Sequence, residues 1–168
     1  MLPAADDLNE LDEQGFATAV GRLFEGAPRF VKRLADARPF RTYEELTERG
    51  LDIALSMPED AQIELLDSHP RIGAQPGTVS DLSYREQGYG REQGTAELQA
   101  RLGRLNEAYE RRFGFRFVIF VAGRPRSAIA DIIEQHLEGE REDEKRRALR
   151  DVVAIARDRA HKLGEEET

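Results

Sequence analysis

Apolar residues recur at helical spacings at the start of the chain. From Leu8 to Phe24 the intervals are mainly three, four and five residues, which predicts one amphipathic helix that ends near Gly26. Pro28 is then placed to open a second helix. That helix is expected to end at Arg38-Pro39-Phe40, because proline fixes φ and restricts the residue before it.

Two further helices are predicted before the middle of the chain. Thr42 and Glu45 have the spacing of a capping box, in which two side chains bind the free N–H groups of a helix start. Pro58 is expected to begin the next helix. His69-Pro70 sets its end, since a residue before proline is pushed towards extended geometry. His69 is therefore predicted at a helix exit.

The middle of the chain has a different pattern. Residues 71–94 carry five glycines and one proline with few large apolar side chains, which indicates the functional loop region. A strong helical repeat over Leu98–Tyr109 is expected to stop at Gly114. Phe115–Val121 has strand propensity but no partner strand, so an extended or irregular buried segment is predicted.

The last quarter of the chain is again helical in pattern. One helix is predicted around Ile129–Leu137 and a final one over 149–163, with a mobile acidic tail at about 164–168. The mixed charges of 138–147 indicate a solvated loop or exposed helix turn without function. Together the patterns predict an all-α, single-domain helical bundle over 1–168, with about seven to nine helices and one short extended buried segment.

Composition fits one folded domain and excludes several functions. The 168 residues are 39% hydrophobic and 35% charged, which is enough for one buried core. The absence of cysteine excludes disulfides, thiolate nucleophiles and thiolate metal sites. A net charge of −8 argues against nucleic-acid binding. Only three of the 25 basic residues are lysine, so 22 are arginine. The planar guanidinium of arginine is suited to binding carboxylates and urea-like oxygens.

Membrane and export signals are not found in the sequence. The longest apolar run, Phe117–Ala122, is far shorter than the roughly 20 residues of a membrane helix. The acidic N-terminus lacks the basic-then-apolar order of a signal peptide. We therefore expect a soluble cytoplasmic protein without a membrane partner.

Histidine can exchange protons near neutral pH, because its unperturbed pKa is about 6.5. His136 and His161 lie in charged helical stretches and are expected to be ordinary surface residues. His69, at a helix exit before the glycine-rich region, is the candidate for catalysis. From the residues alone, a structural and a catalytic role of His69 are equally supported.

Other candidates flank the predicted loop and the extended segment. Ser83 and Glu86 have capping-box spacing, so Ser83 is predicted to cap a helix, whose start could also present Glu86 and Gln87 to a ligand. Arg124 could hold a carboxylate, although arginines in turns are more often solvated. The sequence holds no Gly-rich phosphate loop, no nucleophile elbow and no convincing metal-ligand cluster.

Taken in order, these residues resemble the family of 2-oxo-4-hydroxy-4-carboxy-5-ureidoimidazoline (OHCU) decarboxylases. The likeness runs from Leu8 through the last predicted helix. Each motif is weak alone, but the ordered set is specific: Arg38-Pro39-Phe40, His69-Pro70, Ser83-x-x-Glu86-Gln87, Phe113-Gly114-Phe115-x-Phe117-Val118 and Gly123-Arg124.

The resemblance implies an all-helical, commonly dimeric lyase that needs neither a metal nor an organic cofactor. Its substrate would be the small ureidoimidazoline formed by hydrolysis of 5-hydroxyisourate, which it would decarboxylate to (S)-allantoin in urate breakdown, a part of purine metabolism. The family's catalytic residues correspond to His69, Glu86 and Arg124. Its substrate-binding residues correspond to Pro70, Ser83, Gln87, Phe117, Val118, Ile119 and Val121.

Two stretches depart from the family's pattern. Arg71 stands where an acidic residue commonly follows His-Pro, and Gly88-Tyr89-Gly90-Arg91 replaces a small Ala-Gly-Leu stretch. Whether Glu86 or Glu92 faces the substrate is therefore open, with Glu86 favoured because only it has Ser83 at the matching spacing. Two other functions are also open: a non-catalytic helical binding or regulatory module, and a different cofactor-free lyase on the same scaffold.

Overall fold

The computed structural model describes residues 1–74, 80–87 and 96–165, which form nine helices and no strand. The predicted all-α class is therefore confirmed. None of these helices combines the length and apolar character needed to cross a membrane. In chain order the helices are α1 (Ala5–Glu10), α2 (Glu13–Phe24), α3 (Pro28–Asp36), α4 (Tyr43–Ser56), α5 (Glu59–Asp67), α6 (Asp81–Glu86), α7 (Ala96–Phe113), α8 (Arg126–His136) and α9 (Arg141–Glu165).

The helices fall into two compact units. Residues 1–68 and the chain from 149 onward form the first unit, and residues 69–148 form the second. The division passes through α9, whose first eight residues belong to the second unit. Every residue that the sequence predicts for the site lies in the second unit. The prediction of one domain over 1–168 stays a prediction.

The first predicted helix is in fact two helices, and Asp12 separates them. Asp12 is the N-cap of α2, and its Oδ1 accepts a hydrogen bond from the N–H of Gly15 at 2.7 Å. A side-chain oxygen that binds the first free N–H groups of a helix stabilises a new start there. The prediction of one uninterrupted helix from Leu8 to Phe24 is therefore wrong.

Other predicted helix starts in the first unit are confirmed. α3 begins at Pro28. The Oγ1 atom of Thr42 accepts a hydrogen bond from the N–H of Glu45 at 3.1 Å and caps α4. Pro58 is the N-cap of α5. Proline and threonine are favoured at these positions because they replace or bind backbone N–H groups that have no helical partner.

A buried arginine contacts the end of α2 within the first unit. Arg159 is 1% exposed, and its Nη1 donates to the carbonyl oxygens of Arg22 at 3.0 Å and Leu23 at 3.4 Å. Its Nη2 lies 2.8 Å from Oε1 of Glu25. The cation thus binds carbonyls at the negative end of the helix dipole. Apolar side chains fill the rest of this core, including Phe16, Leu23, Phe24, Phe30, Leu34, Leu46 and Leu65.

An aromatic cluster forms the core of the second unit. The ring centre of Tyr109 lies 4.6 Å from that of Phe113, 5.9 Å from that of Phe115 and 5.1 Å from that of Phe117. As predicted, α7 stops at Gly114, whose φ is +81° and whose N–H binds the carbonyl of Glu110 at 2.8 Å. Glycine is favoured at this left-handed position after a helix.

Residues 115–121 lie between two helices and are neither helix nor strand, which agrees with the predicted extended or irregular segment; we call them the extended segment. A tight turn follows, in which the N–H of Arg124 binds the carbonyl of Val121 at 3.1 Å. The φ angles of Ala122 (+52°) and Gly123 (+74°) are both positive, as in a type I′ turn. This turn leads into α8.

The charged stretch 138–147 contributes the start of α9, which begins at Arg141. Glu144 and Lys145 are buried, so the prediction of a solvated stretch is wrong at these two positions. Burial follows from the helical repeat, because residues four positions apart share one face. α9 continues to Glu165, and residues 166–168 of the predicted mobile tail lie outside the described residues.

Candidate active site

His69 occupies the helix exit that the sequence predicts. Ser68 is the C-cap of α5, and His69 follows it directly. His69 is only 3% exposed, and Pro70 beside it is half-buried. The carbonyl oxygen of His69 accepts a hydrogen bond from Nη1 of Arg116 at 3.1 Å. This bond ties His69 to the extended segment 115–121.

Ser83 lies inside α6 and does not cap it. The N-cap is Ser80, whose Oγ accepts a hydrogen bond from the N–H of Ser83 at 3.1 Å. The capping-box prediction for Ser83 and Glu86 is therefore wrong, because an earlier serine already starts the helix. Ser83, Glu86 and Gln87 share one face of the helix, since residues three and four apart are neighbours. Ser83 and Gln87 are buried on this face, and Glu86 is half-buried.

The amide of Gln87 contacts the chain that follows His69-Pro70. Its Oε1 accepts a hydrogen bond from the N–H of Gly73 at 2.9 Å, and its Nε2 donates to the carbonyl of Arg71 at 3.4 Å. Gln87 thus binds α6 to residues 71–73. Through this side chain the motif Ser83-x-x-Glu86-Gln87 contacts the residues that directly follow the motif His69-Pro70.

The alternative carboxylate to that of Glu86 is that of Glu92. Glu92 and the preceding Gly88-Tyr89-Gly90-Arg91 lie outside the described residues. Glu86 ends α6 on the face that carries Ser83. The choice of Glu86 over Glu92 as the carboxylate of the site stays a prediction.

Arg124 binds carbonyl oxygens of its own turn. Its Nε donates to the carbonyl of Val121 at 3.0 Å, and its Nη2 donates to that of Phe120 at 2.6 Å. Arg124 is exposed, and its planar fork has further N–H donors beyond these two. The structure thus orders the guanidinium at the end of the extended segment. Among the described residues it does not connect Arg124 directly to His69.

The extended segment is buried, and arginine side chains bind its carbonyl groups. Nη1 of Arg147 donates to the carbonyl of Val118 at 2.9 Å. The segment is neither helix nor strand, so its N–H groups do not form the regular backbone hydrogen bonds of those elements. The four residues predicted to line the substrate are all buried: Phe117, Val118, Ile119 and Val121.

An ionic network contacts the same segment, and sequence reasoning missed it. Glu144 accepts hydrogen bonds from the hydroxyl of Tyr109 at 2.5 Å and from Nε of Arg147 at 2.9 Å, and its Oε1 lies 2.5 Å from Nδ1 of His136. The guanidinium of Arg147 lies 5.0 Å from the ring centre of Phe117. We call these four residues, Tyr109, His136, Glu144 and Arg147, the Glu144 network.

The network sets the charge states of Glu144 and Tyr109. Burial disfavours the ionised form of Glu144, but hydrogen bonds from Arg147 and Tyr109 outweigh it and hold the pKa of this carboxyl below its usual value of 4.5. Burial, and then the bond to Glu144, raise the pKa of the Tyr109 hydroxyl. At neutral pH Glu144 is therefore ionised and Tyr109 is protonated.

A sequence signal for this network existed. Counting back one helical turn from the apolar positions Ala148 and Leu149 gives Glu144 and Lys145, which places both on the inner face of the last helix. His136 is half-buried by its contact with Glu144, whereas His161 is exposed as expected. A charged residue in register with an apolar stripe is thus a candidate for burial with a partner.

The fold and the candidate residues define an all-helical protein with a buried histidine, His69, followed by a segment that the amide of Gln87 binds from α6. Across the described ranges, no group of three or more histidine or acidic side chains is arranged to hold a metal ion. The family model for OHCU decarboxylase matches residues 9–161. The chain therefore belongs to the OHCU decarboxylase family.

Individual relatives agree with this membership. The uric acid degradation bifunctional protein PucL of Bacillus subtilis is 35% identical over 90% of this chain, and the chain spans 31% of that protein. The OHCU decarboxylase of Haloferax volcanii is 32% identical over 89% of both chains, and that of Mus musculus is 29% identical over 89% of this chain and 86% of its own. The chain thus spans about a third of the bifunctional Bacillus relatives and most of the relatives that are named OHCU decarboxylase.

Solved structures share the fold. A crystal structure of OHCU decarboxylase in the presence of (S)-allantoin has a TM-score of 0.71 at 22% identity, covering 91% of this chain and 98% of the other. A structure of (S)-allantoin synthase has a TM-score of 0.69 at 21% identity, covering 95% of this chain and 54% of the other. At these identities the likeness shows the fold alone.

Proposed function

We propose that this chain catalyses the cofactor-independent decarboxylation of OHCU to (S)-allantoin in urate degradation. Family membership and the 32% identity to a full-length relative of that name support this reaction class, which is that of a carboxy-lyase. The observation that carries the proposal is the buried His69 at the end of α5, on a chain segment that Gln87 fastens to the Ser83–Glu86 face of α6.

His69 is proposed as the proton-transfer residue. The bond between the ring carbon and the carboxyl carbon breaks, carbon dioxide leaves, and the electron pair stays on the conjugated ring. A proton from the His69 imidazole then bonds to the same carbon on one face, and water reprotonates the imidazole. Positioned acid–base help of this kind contributes about 10² to 10⁴ in rate. A single proton donor held on one side also fixes the stereochemistry.

The other candidate residues are proposed to orient the substrate. Glu86, with Ser83 and Gln87, would fix the hydroxyl and ureido groups, because carboxylate and amide oxygens accept the N–H and O–H donors of such groups. Gln87 is placed to combine this role with its bonds to the backbone after Pro70.

Arg124 and the extended segment are proposed to complete the substrate site. Arg124 would hold an anionic or carbonyl oxygen of the substrate through the donors that its turn does not use. The backbone of Phe117–Val121 would line the substrate beside the half-buried Pro70. Fixed donors of this kind stabilise charge as it develops during the reaction.

The proposal is tested by forming the substrate in place. Urate is converted by urate oxidase and hydroxyisourate hydrolase, and the circular dichroism of allantoin is followed with and without this protein. We expect a faster rise of signal and an excess of the (S) form. Because the substrate also decays unaided, a rate and enantiomeric excess equal to the uncatalysed background would refute the function.

The role of His69 is tested by His69→Ala, with His161→Ala as the matched control. His161 is exposed on α9 in the first unit, so its loss removes an imidazole from outside the unit that holds the candidate residues. We expect the rate above background to fall about 10² to 10⁴-fold for His69→Ala and to stay unchanged for the control. Undiminished turnover by folded His69→Ala would remove this residue from the mechanism.

We further propose, on the family resemblance, that the protein is a cytoplasmic homodimer whose chain folds as one domain. Light scattering then gives twice the chain mass of 19.0 kDa, and cell fractionation recovers the protein with the cytoplasm. Urea unfolding followed by two optical probes gives one coincident transition if the chain is one cooperative domain. A monomer mass at micromolar concentration, or two separate transitions, would contradict the corresponding proposal.

A further inference from the structure

Side-chain amides hold the backbone just after His69-Pro70. Three consecutive carbonyl groups each accept a hydrogen bond from an amide: that of residue 71 from Gln87 at 3.4 Å, that of residue 72 from Asn106 at 3.0 Å, and that of residue 73 from Gln99. Gln87 also accepts from the N–H of residue 73 at 2.9 Å. We call Gln87, Gln99 and Asn106 the amide clamp.

Asn106 is the innermost member of the amide clamp. It is 2% exposed, and its Nδ2 donates both to the carbonyl of Ile72 and to that of Leu102, one turn earlier on α7, at 2.9 Å. Asparagine is a poor residue for a helix interior, and a buried amide is costly unless it is hydrogen-bonded. Its position is therefore explained by the bond to Ile72.

The clamped segment is also fixed at its two ends. Gly73 has a φ of +78°, and a Cβ added to it would lie 3.0 Å from Cδ1 of Leu102, so the backbone presses directly on α7. At the other end, Arg116 binds the carbonyl of His69 at 3.1 Å. Glu110 holds Arg116 at 3.6 Å and also binds Arg71, at 3.2 Å and 2.5 Å. Residues 69–73 thus form one restrained unit.

We propose that the amide clamp positions the imidazole of His69, and that Asn106 is a positioning residue for the decarboxylation. The direction of a side chain follows from the φ and ψ angles of its own residue. The clamp holds residues 71–73, which follow His69-Pro70, and the bond of Arg116 holds the carbonyl of His69, so together they restrain those angles. Catalytic groups must be held within about 0.5 Å of their productive position, which explains why three amides serve one short segment. The expected effect on kcat rests on the proposed function, whereas the expected position of the His69 side chain does not.

The test compares Asn106→Leu with a matched control, Gln62→Met. Gln62 is also a buried amide whose nitrogen donates to two backbone carbonyls, those of Ala54 at 2.9 Å and Leu55 at 3.3 Å, but it lies in the first unit. Both changes remove the same number of hydrogen bonds. We expect kcat to fall about 10- to 100-fold in Asn106→Leu with KM changed less than twofold, because misplacing a catalytic group by about 1 Å costs that much. The control keeps the wild-type kcat.

A second measurement does not depend on activity. The chain has three histidines, so imidazole nuclear magnetic resonance signals are few, and His69→Ala assigns that of His69. We expect the His69 signals to move in Asn106→Leu and to stay in place in Gln62→Met. If the wild-type protein shows no decarboxylation, the proposed function fails, and these spectra still decide whether the clamp positions His69.

Gln99→Ala covers the case in which Asn106→Leu does not fold. Gln99 is exposed, so its loss removes one bond of the clamp without opening the core. We expect a smaller fall in kcat and a smaller change in the His69 signals. Wild-type kcat together with unchanged His69 signals, in whichever of these variants folds, would overturn the proposal.

Discussion

The hydroxyl of Tyr109 offers a sharp test of how the Glu144 network stabilises the protein. Tyr109 is fully buried, and its hydroxyl donates to Oε2 of Glu144 at 2.5 Å. The change Tyr109→Phe removes only this oxygen, because the ring keeps its contacts with Phe113 and Phe117 at 4.6 Å and 5.1 Å. Any loss of stability therefore reports the hydrogen bonds of this hydroxyl, mainly that to the buried carboxylate of Glu144 and also that with Arg147.

The expected magnitude follows from the partners that remain. A hydrogen bond to a charged group contributes about 1.5 to 3 kcal/mol. Glu144 keeps Arg147, at 2.9 Å and 3.2 Å, and His136, at 2.5 Å, so the carboxylate is not left without partners. We therefore expect the free energy of unfolding to fall by about 2 kcal/mol at pH 7. For a chain of this size the corresponding fall in Tm is about 4 to 8 °C.

The effect should depend on pH in a known direction. The pKa of Glu144 is lower in the folded protein than the usual value of 4.5. Its ionised form therefore contributes stability that is present above the unfolded pKa and is lost as pH falls through the folded pKa. The Tyr109 bond is part of that contribution, so the difference between wild type and Tyr109→Phe should shrink below about pH 4.

Urea unfolding followed by circular dichroism at several pH values measures this difference. Tyr43→Phe is the matched control, since the hydroxyl of Tyr43 donates to a neutral partner, the carbonyl of Pro3, at 2.8 Å. That change should cost about 1 kcal/mol, with little dependence on pH. A loss below about 0.5 kcal/mol for Tyr109→Phe at pH 7, or an equal loss at pH 7 and at low pH, would refute the reasoning.

Two further stability predictions follow from backbone and charge. Gly73→Ala should lower the free energy of unfolding by about 1 to 2 kcal/mol, because φ is +78° and the new Cβ would meet Leu102. Gly21 lies on α2, where an added Cβ has open space, so Gly21→Ala should raise the free energy of unfolding by about 0.5 to 1 kcal/mol. Arg159→Met should cost about 3 kcal/mol, since it removes the guanidinium that binds the mostly buried Glu25, and adding Glu25→Gln should recover part of this. Urea unfolding of the single variants, and a double-mutant cycle for the pair, check both; an Arg159→Met loss near zero would show the ion pair to be dispensable.

Local signals in the sequence predicted most of the fold. Thr42, Pro58 and Gly114 mark helix ends by chemistry that acts within a few residues, and the structure confirms all three. Asp12 carries the same kind of signal, but the apolar spacing across it is regular enough to predict one helix instead of two. Periodicity alone does not detect a cap that falls between two helices of similar register.

The sequence predicts the local structure at the candidate site residues where a short motif determines it. The exit of His69 from a helix follows from Pro70, and the lack of a partner strand indicates that Phe115–Val121 does not form a sheet. The cap at Ser80 competes with Ser83, and only the fold shows which serine starts α6. Contacts between distant positions, such as that of Asn106 with Ile72, have no local signature and required the structure.

Because Glu144 is buried, the positions of the charged stretch at the start of α9 differ in how well they tolerate substitution. Arg146 is exposed, so a reversal of its charge changes only the solvated face of the helix. The same reversal at Glu144 would place a cation against Arg147 in a site where the side chain is 5% exposed. We therefore expect a change of charge at position 146 to cost little stability and loss of the acid at position 144 to cost much more, although the two residues are almost adjacent in the sequence.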